Sequence, residues 1–270
     1  MKSASHVQPP AWPYLAWLSA ALAGIAGPVL AMLLIADAPA RLALVCGPIL
    51  ALGLMGAGMI GAAAAGRLWA GILLAVLTGA ALIACARALG LPPLSLQSST
   101  GLAVVIASIS FAARGALFAR SATNKGWLIA LFVVTGEAAI LVTASALPGA
   151  LPVWLLVLLP AQWASVAIQT SLAGSGTLAA GSELLALAGT AAATLLVAGL
   201  WPRRWPYLVM FSAWLGLSAL VWHWPAPIAP AAAVSALDQR QAALASLRSW
   251  WPDGPLVPPG PPAGDGRRRA

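Results

Sequence analysis

Over the first 114 residues charged side chains stand so far apart that, the close pair Asp37 and Arg41 aside, the intervals between them are long enough for membrane spans. After Lys2 the next are Asp37, Arg41, Arg67, Arg87 and Arg114. The segments between are almost wholly apolar, and about 20 apolar residues cross a hydrocarbon layer as an α-helix. Across the chain 61% of residues are hydrophobic and 7% charged, against about 25% charged in a soluble domain. So few charges cannot cover a water-facing surface. The expected fold class is therefore all-α: a polytopic transmembrane helix bundle with short loops.

Eight spans are expected, at residues 12–36, 41–66, 68–89, 101–119, 127–147, 151–172, 183–200 and 207–224, after an N-terminal segment 1–11. Pro92-Pro93 and the polar run Gln97 to Thr100 predict a loop over 90–100. The apolar stretch after Lys2 is longer than a secretory h-region of about 7–15 residues, so it reads as an uncleaved first helix. After Trp224 the composition changes. Residues 225–230 form a stiff linker, and 231–251 make a weakly amphipathic candidate for an interfacial helix. Residues 252–270 are rich in Pro and Gly, end on Arg267 to Arg269, and predict a disordered basic tail.

The formal net charge of +8 would suggest nucleic acid in a soluble protein. Here the basic residues fall between apolar segments and in the tail, with no basic helix and no interleaved aromatics, so nucleic acid is not an expected partner. Membrane lipids are, and another membrane protein is a second candidate partner. Outside the tail, the loop Lys and Arg residues divide four and four between the two sides. The tail arginines tip the expectation toward both termini in the cytoplasm. The strong preference for Arg over Lys suggests a bacterial protein of the cytoplasmic (inner) membrane. Trp12, Trp69, Trp127, Trp154, Trp201, Trp205, Trp222 and Trp224 fall at expected span ends, as an aromatic belt would. Trp163 and Trp214 lie within spans and read as packing residues.

In the second expected span, Gly53, Ala57, Gly61 and Ala65 recur every four residues. Small residues let helices approach closely in lipid, which predicts that this span packs inside the bundle.

Ionisable groups inside spans are costly and are the first places to look for function. Glu137 falls near mid-depth of the fifth span, where it must be neutral, paired or hydrated. Arg114, in the antiparallel fourth span, is its natural partner, offset along the helix axes by roughly 7–8 Å at 1.5 Å per residue. In the sixth span Gln162, Ser165 and Gln169 recur at helical spacing just past Pro160, which can kink a helix and free a carbonyl. Glu137, Arg114, Gln162, Ser165 and Gln169 are thus candidate substrate or coupling residues of a polar cavity shared by spans four to six. Hydrogen bonding between helices, without a ligand, is the competing explanation. Glu183 beside Ser182 reads as a helix N-terminal residue.

No metal site or cofactor is expected. His6 and His223 are isolated, there is no His-Glu-x-x-His pair, no Asp-rich magnesium motif and no phosphate loop. Cys46 and Cys85 read as inert apolar thiols. With no nucleophile–base set, an enzyme is disfavoured. Two functions remain: a small-solute or lipid transporter of permease type, with its polar site in spans four to six, or a non-catalytic subunit, assembly factor or scaffold of a membrane complex.

Overall fold

The computed structural model describes residues 12–91, 97–122, 125–147, 149–174, 178–200 and 205–224. The proposed linker, interfacial helix and basic tail, like residues 1–11, lie outside the described residues. Among those described there is no strand. Six helices are long and apolar enough to cross a membrane: Pro13–Leu34, Pro39–Ala65, Leu68–Ala88, Ser98–Ala122, Gly126–Ala146 and Gly181–Gly199.

The first span comprises α1 (Trp12–Ala21), a π-helical turn (Leu22–Ala26) and α2 (Gly27–Leu34). The second comprises α3 (Pro39–Met55), a second π-helical turn (Gly56–Ile60) and α4 (Gly61–Ala65). Then follow α5 (Leu68–Ala88), α6 (Gln97–Ala122) and α7 (Gly126–Ala146). The sixth expected span is split into α8 (Val153–Val157) and α9 (Pro160–Leu172). The seventh is α10 (Gly181–Gly199), and the eighth, α11 (Trp205–His223), is shorter in its apolar part.

Several boundaries differ from those read in the sequence. Gln97 to Thr100 belong to α6 rather than to a loop. Ser and Thr bond readily to nearby backbone at a helix start, so their polarity marks a first turn as well as it marks a loop. The chain reverses between the second and third spans within Gly66 and Arg67, where Gly66 takes a left-handed conformation at φ 64°. That geometry suits a residue without a Cβ. Glu183 lies in the first turn of α10 as expected, buried, and accepts the Ser182 hydroxyl at 2.8 Å.

The second span is the centre of the bundle. It packs on α2, α5, α6, α7 and α9, and Leu42, Cys46, Leu50, Leu54, Met55, Met59 and Ile60 are fully buried. Gly53, Ala57 and Gly61 are buried and Ala65 is half-buried. Gly53 and Gly61 face the same neighbour, α5: a Cβ on Gly53 would meet Leu82 and one on Gly61 would meet Leu74. Gly53 and Ala57 also face Gly24 in the π-helical turn of the first span, so these small residues let the second span approach two neighbours closely. Among the described glycines the tightest position is Gly115 of α6, where an added Cβ would sit 2.1 Å from the carbonyl oxygen of Met59.

The outer faces carry large apolar side chains, including Trp69, Leu73 and Leu77 on α5 and Phe132 on α7, as lipid-facing surfaces do. Trp69, Trp154, Trp222 and Trp224 are exposed, in keeping with an interfacial belt, but Trp127 is buried at the start of α7. Its indole belongs to the core rather than to the belt.

Candidate functional site

The site begins with a helix that cannot be continuous. Pro160 has no N–H to give to the preceding turn, and the chain breaks between Val157 and Pro160. A break in a membrane helix exposes backbone donors and acceptors that lipid cannot satisfy, each at a cost of several kcal/mol. In this protein named partners take them up. In an unbroken helix the N–H of Ala161 would go to the carbonyl of Val157. Here it donates to Oε2 of Glu137, on α7, at 3.0 Å. The released carbonyl of Val157 accepts the indole N–H of Trp163 at 2.7 Å. The carbonyl of Leu158 accepts the indole N–H of Trp214, on α11, at 3.2 Å. The N–H of Gln162, which would have reached Leu158, turns to Leu159 at 3.0 Å.

Glu137 therefore caps the N-terminus of a helix other than its own. The N-terminal end of α9 carries partial positive charge, and a carboxylate is a fitting partner for it. Among the described residues its other oxygen, Oε1, has no hydrogen-bond partner.

Arg114 projects from α6 toward the same region. Nη2 donates to Ser110 Oγ at 3.1 Å and to Thr190 Oγ1 at 3.4 Å, and the guanidinium lies 5.5 Å from the centre of the Phe111 ring. Nη1 is shut off from the surface and has no hydrogen-bond partner. Arg114 and Glu137 are close enough for their charges to interact but do not form a direct salt bridge. Thr190 is held by its own helix, donating to the carbonyls of Ala186 and Leu187, and Thr194 donates to that of Thr190.

Arg114 and Glu137 both line a cavity of about 500 Å³. Thr190 and Thr194 of α10 and the 158–160 break form its other polar margin, while Leu117, Phe118, Val133, Met210, Phe211 and Trp214 supply apolar wall. The cavity is thus lined by two charged side chains, from α6 and α7, by the break between α8 and α9, and by apolar side chains reaching α11.

Of the five residues the sequence proposes for one shared cavity, the structure brings Arg114 and Glu137 together there. Gln162, half-buried, and Ser165, buried, are not part of the lining. Gln169 points to the opposite side of α9, into the second span. Its Oε1 accepts the N–H of Gly47 at 2.8 Å, and its Nε2 donates to the carbonyl of Ala43 at 2.7 Å. Those two backbone groups are an i, i+4 pair that would otherwise bond to each other. The amide of Gln169 is thus inserted into the hydrogen-bond ladder of α3 one residue before Pro48. This is the helix-to-helix bonding that competed with a ligand site, and it separates Gln169 from Glu137. Sequence reading placed Trp163 and Trp214 as packing residues. Their indole N–H groups also close the break, which only the position of the break could reveal.

Among the described residues no group of three or more His, Cys, Asp or Glu side chains could hold a metal ion. The architecture is that of an all-helical protein with helices suited to crossing a membrane. Comparison with known protein families, curated proteins and solved structures finds no match for this chain.

Proposed function

We propose that this is an integral membrane protein of permease type that binds and moves an amphiphile or lipid through the cavity beside the broken sixth span. The observation that carries the reading is the pairing of two charged side chains, Arg114 and Glu137, with an apolar wall of Leu117, Val133, Met210 and Phe211. Ligand sites are commonly mostly apolar cavities of 300–1,000 Å³, roughly, with a few placed polar groups. A discontinuous helix at the site is a recurrent device of membrane transporters, because its exposed ends can meet a ligand. The excess of Arg over Lys, with abundant Ala, Gly and Pro, fits a GC-rich bacterial genome and hence a setting in a bacterial inner membrane.

Native mass spectrometry of the protein extracted gently from its own membrane tests this reading. The expected result is one chain carrying a lipid-like molecule, with that mass lost in Arg114→Leu. A stoichiometric second protein and no bound amphiphile would instead support the subunit reading and overturn the permease.

A further inference from the structure

We infer that the ligand carries a single negative charge on its head, and that this head exchanges with the carboxylate of Glu137 while Glu137 takes up a proton. The inference rests on the cavity reading above and names the ligand class and the coupling of that site.

Three observations converge. Glu137 Oε2 occupies the N–H of Ala161 at the start of α9, a position suited to an anion. Arg114 lines the same cavity, and its Nη1 is buried without a partner. The rest of the wall is largely apolar, which suits an alkyl tail and not a free inorganic ion. Among the lining residues from α6, α7, α10, α11 and the break, Arg114 and Glu137 are the charged ones.

The cavity therefore holds one cation and one carboxylate. A second anion beside ionised Glu137 would leave an uncompensated negative charge in a poorly solvated place, which is costly. If Glu137 accepts a proton from water as the anion enters, the charge inside is unchanged. The released N–H of Ala161 and Nη1 of Arg114 then take the oxygens of the head. One O–H bond forms on Glu137 as one breaks on the aqueous proton donor; one proton and one anion enter together. A neutral head gains neither donor in exchange for displacing Glu137.

The test uses the full-length protein in discs of neutral lipid. The probe is a pyrene-labelled alkyl sulfonate, whose head stays ionised so that any proton taken up goes to the protein. The matched pyrene alcohol is the neutral control, and the part of the tryptophan-to-pyrene energy transfer that is lost in Trp214→Phe reports binding. The sulfonate should bind at least about tenfold more tightly than the alcohol, the margin of one charge-assisted hydrogen bond. A pH indicator in weak buffer should register close to one proton per sulfonate bound. Glu137→Gln, which keeps an acceptor for Ala161, should bind the sulfonate without proton uptake. Competition by oleate would assign the head to free carboxylates, and competition by phosphatidylglycerol to phosphodiester lipids; either upholds the inference. Equal binding of sulfonate and alcohol, or no proton uptake by the wild-type protein, would overturn the exchange while leaving an apolar ligand in the cavity. Failure of both probes to bind saturably would remove the cavity reading as well.

Discussion

The carboxylate of Glu137 and the backbone N–H of Ala161, 24 residues apart in sequence, meet at 3.0 Å and join α7 to the break between α8 and α9. A half-buried acidic side chain is thereby both a helix cap and the wall of a cavity. These roles separate under mutation. Glu137→Ala leaves the Ala161 N–H without a partner and should cost about 1–3 kcal/mol, the penalty of an unsatisfied buried donor. Glu137→Gln keeps an acceptor oxygen and should unfold close to wild type. Denaturant titration in mixed micelles compares the two, and equal loss in both variants would show that the cap is not what Glu137 contributes.

The indole N–H groups at the other side of the break make a matching prediction. Trp163→Phe keeps most of the ring but withdraws the donor to Val157, which the structure holds at 2.7 Å in a fully buried place. A loss of about 1–3 kcal/mol is expected. Trp214→Phe withdraws the weaker contact to Leu158, 3.2 Å long and half-buried, and should cost less. The reverse ranking in the same unfolding assay would contradict the hydrogen-bond account of the break.

Gln169 links α9 to α3 through two hydrogen bonds to one turn of backbone. Gln169→Leu fills similar space but leaves Gly47 and Ala43 to find each other again, so the expected cost is about 1–2 kcal/mol, in line with interhelical bonds in lipid. Ligand affinity in the cavity beside Arg114 should not change. An affinity loss larger than the stability loss would place Gln169 in the site after all.

Two glycine substitutions should diverge in sign. At Gly47 an added Cβ would lie 2.7 Å from both Gln169 Oε1 and the carbonyl oxygen of Ser165, so Gly47→Ala forces α3 and α9 apart. Overpacking of this kind costs about 1–3 kcal/mol. At Gly136 a Cβ meets nothing within 4 Å. Gly136→Ala should therefore gain the helix preference of Ala, about 0.5–1 kcal/mol. Thermal unfolding of the two variants in one detergent checks the sign.

The long apolar helices could be read in the sequence because lipid imposes their length and composition almost independently of their neighbours. The placing of Arg114 and Glu137 on consecutive helices joined by a short turn could also be read, since depth there is a matter of counting residues; whether the two side chains pair could not. Pro160 signalled a disturbance in the sixth expected span but not which groups would close it. Trp214 comes from α11, and its approach depends on the arrangement of spans, which periodicity does not encode. The same limit applies to Gln169. Its place on one helical stripe with Gln162 is correct as geometry, but which neighbour that stripe faces is a property of the bundle. Trp127 shows the converse, a residue at a span end that the packing of α7 draws inward.

Site-resolved photo-crosslinking with a diazirine-bearing, single-chain anionic amphiphile separates a ligand in the cavity from surrounding lipid, because Leu117, Val133 and Met210 line the cavity without being exposed on the outer surface. Labelling that saturates, is displaced by excess unlabelled amphiphile and maps to Leu117, Val133 and Met210 is the result predicted from the cavity beside Arg114 and Glu137. Labelling confined to outward residues such as Leu73, Leu77 and Phe132, and unaffected by competitor, would mean that the molecule only surrounds the protein as lipid and does not enter it.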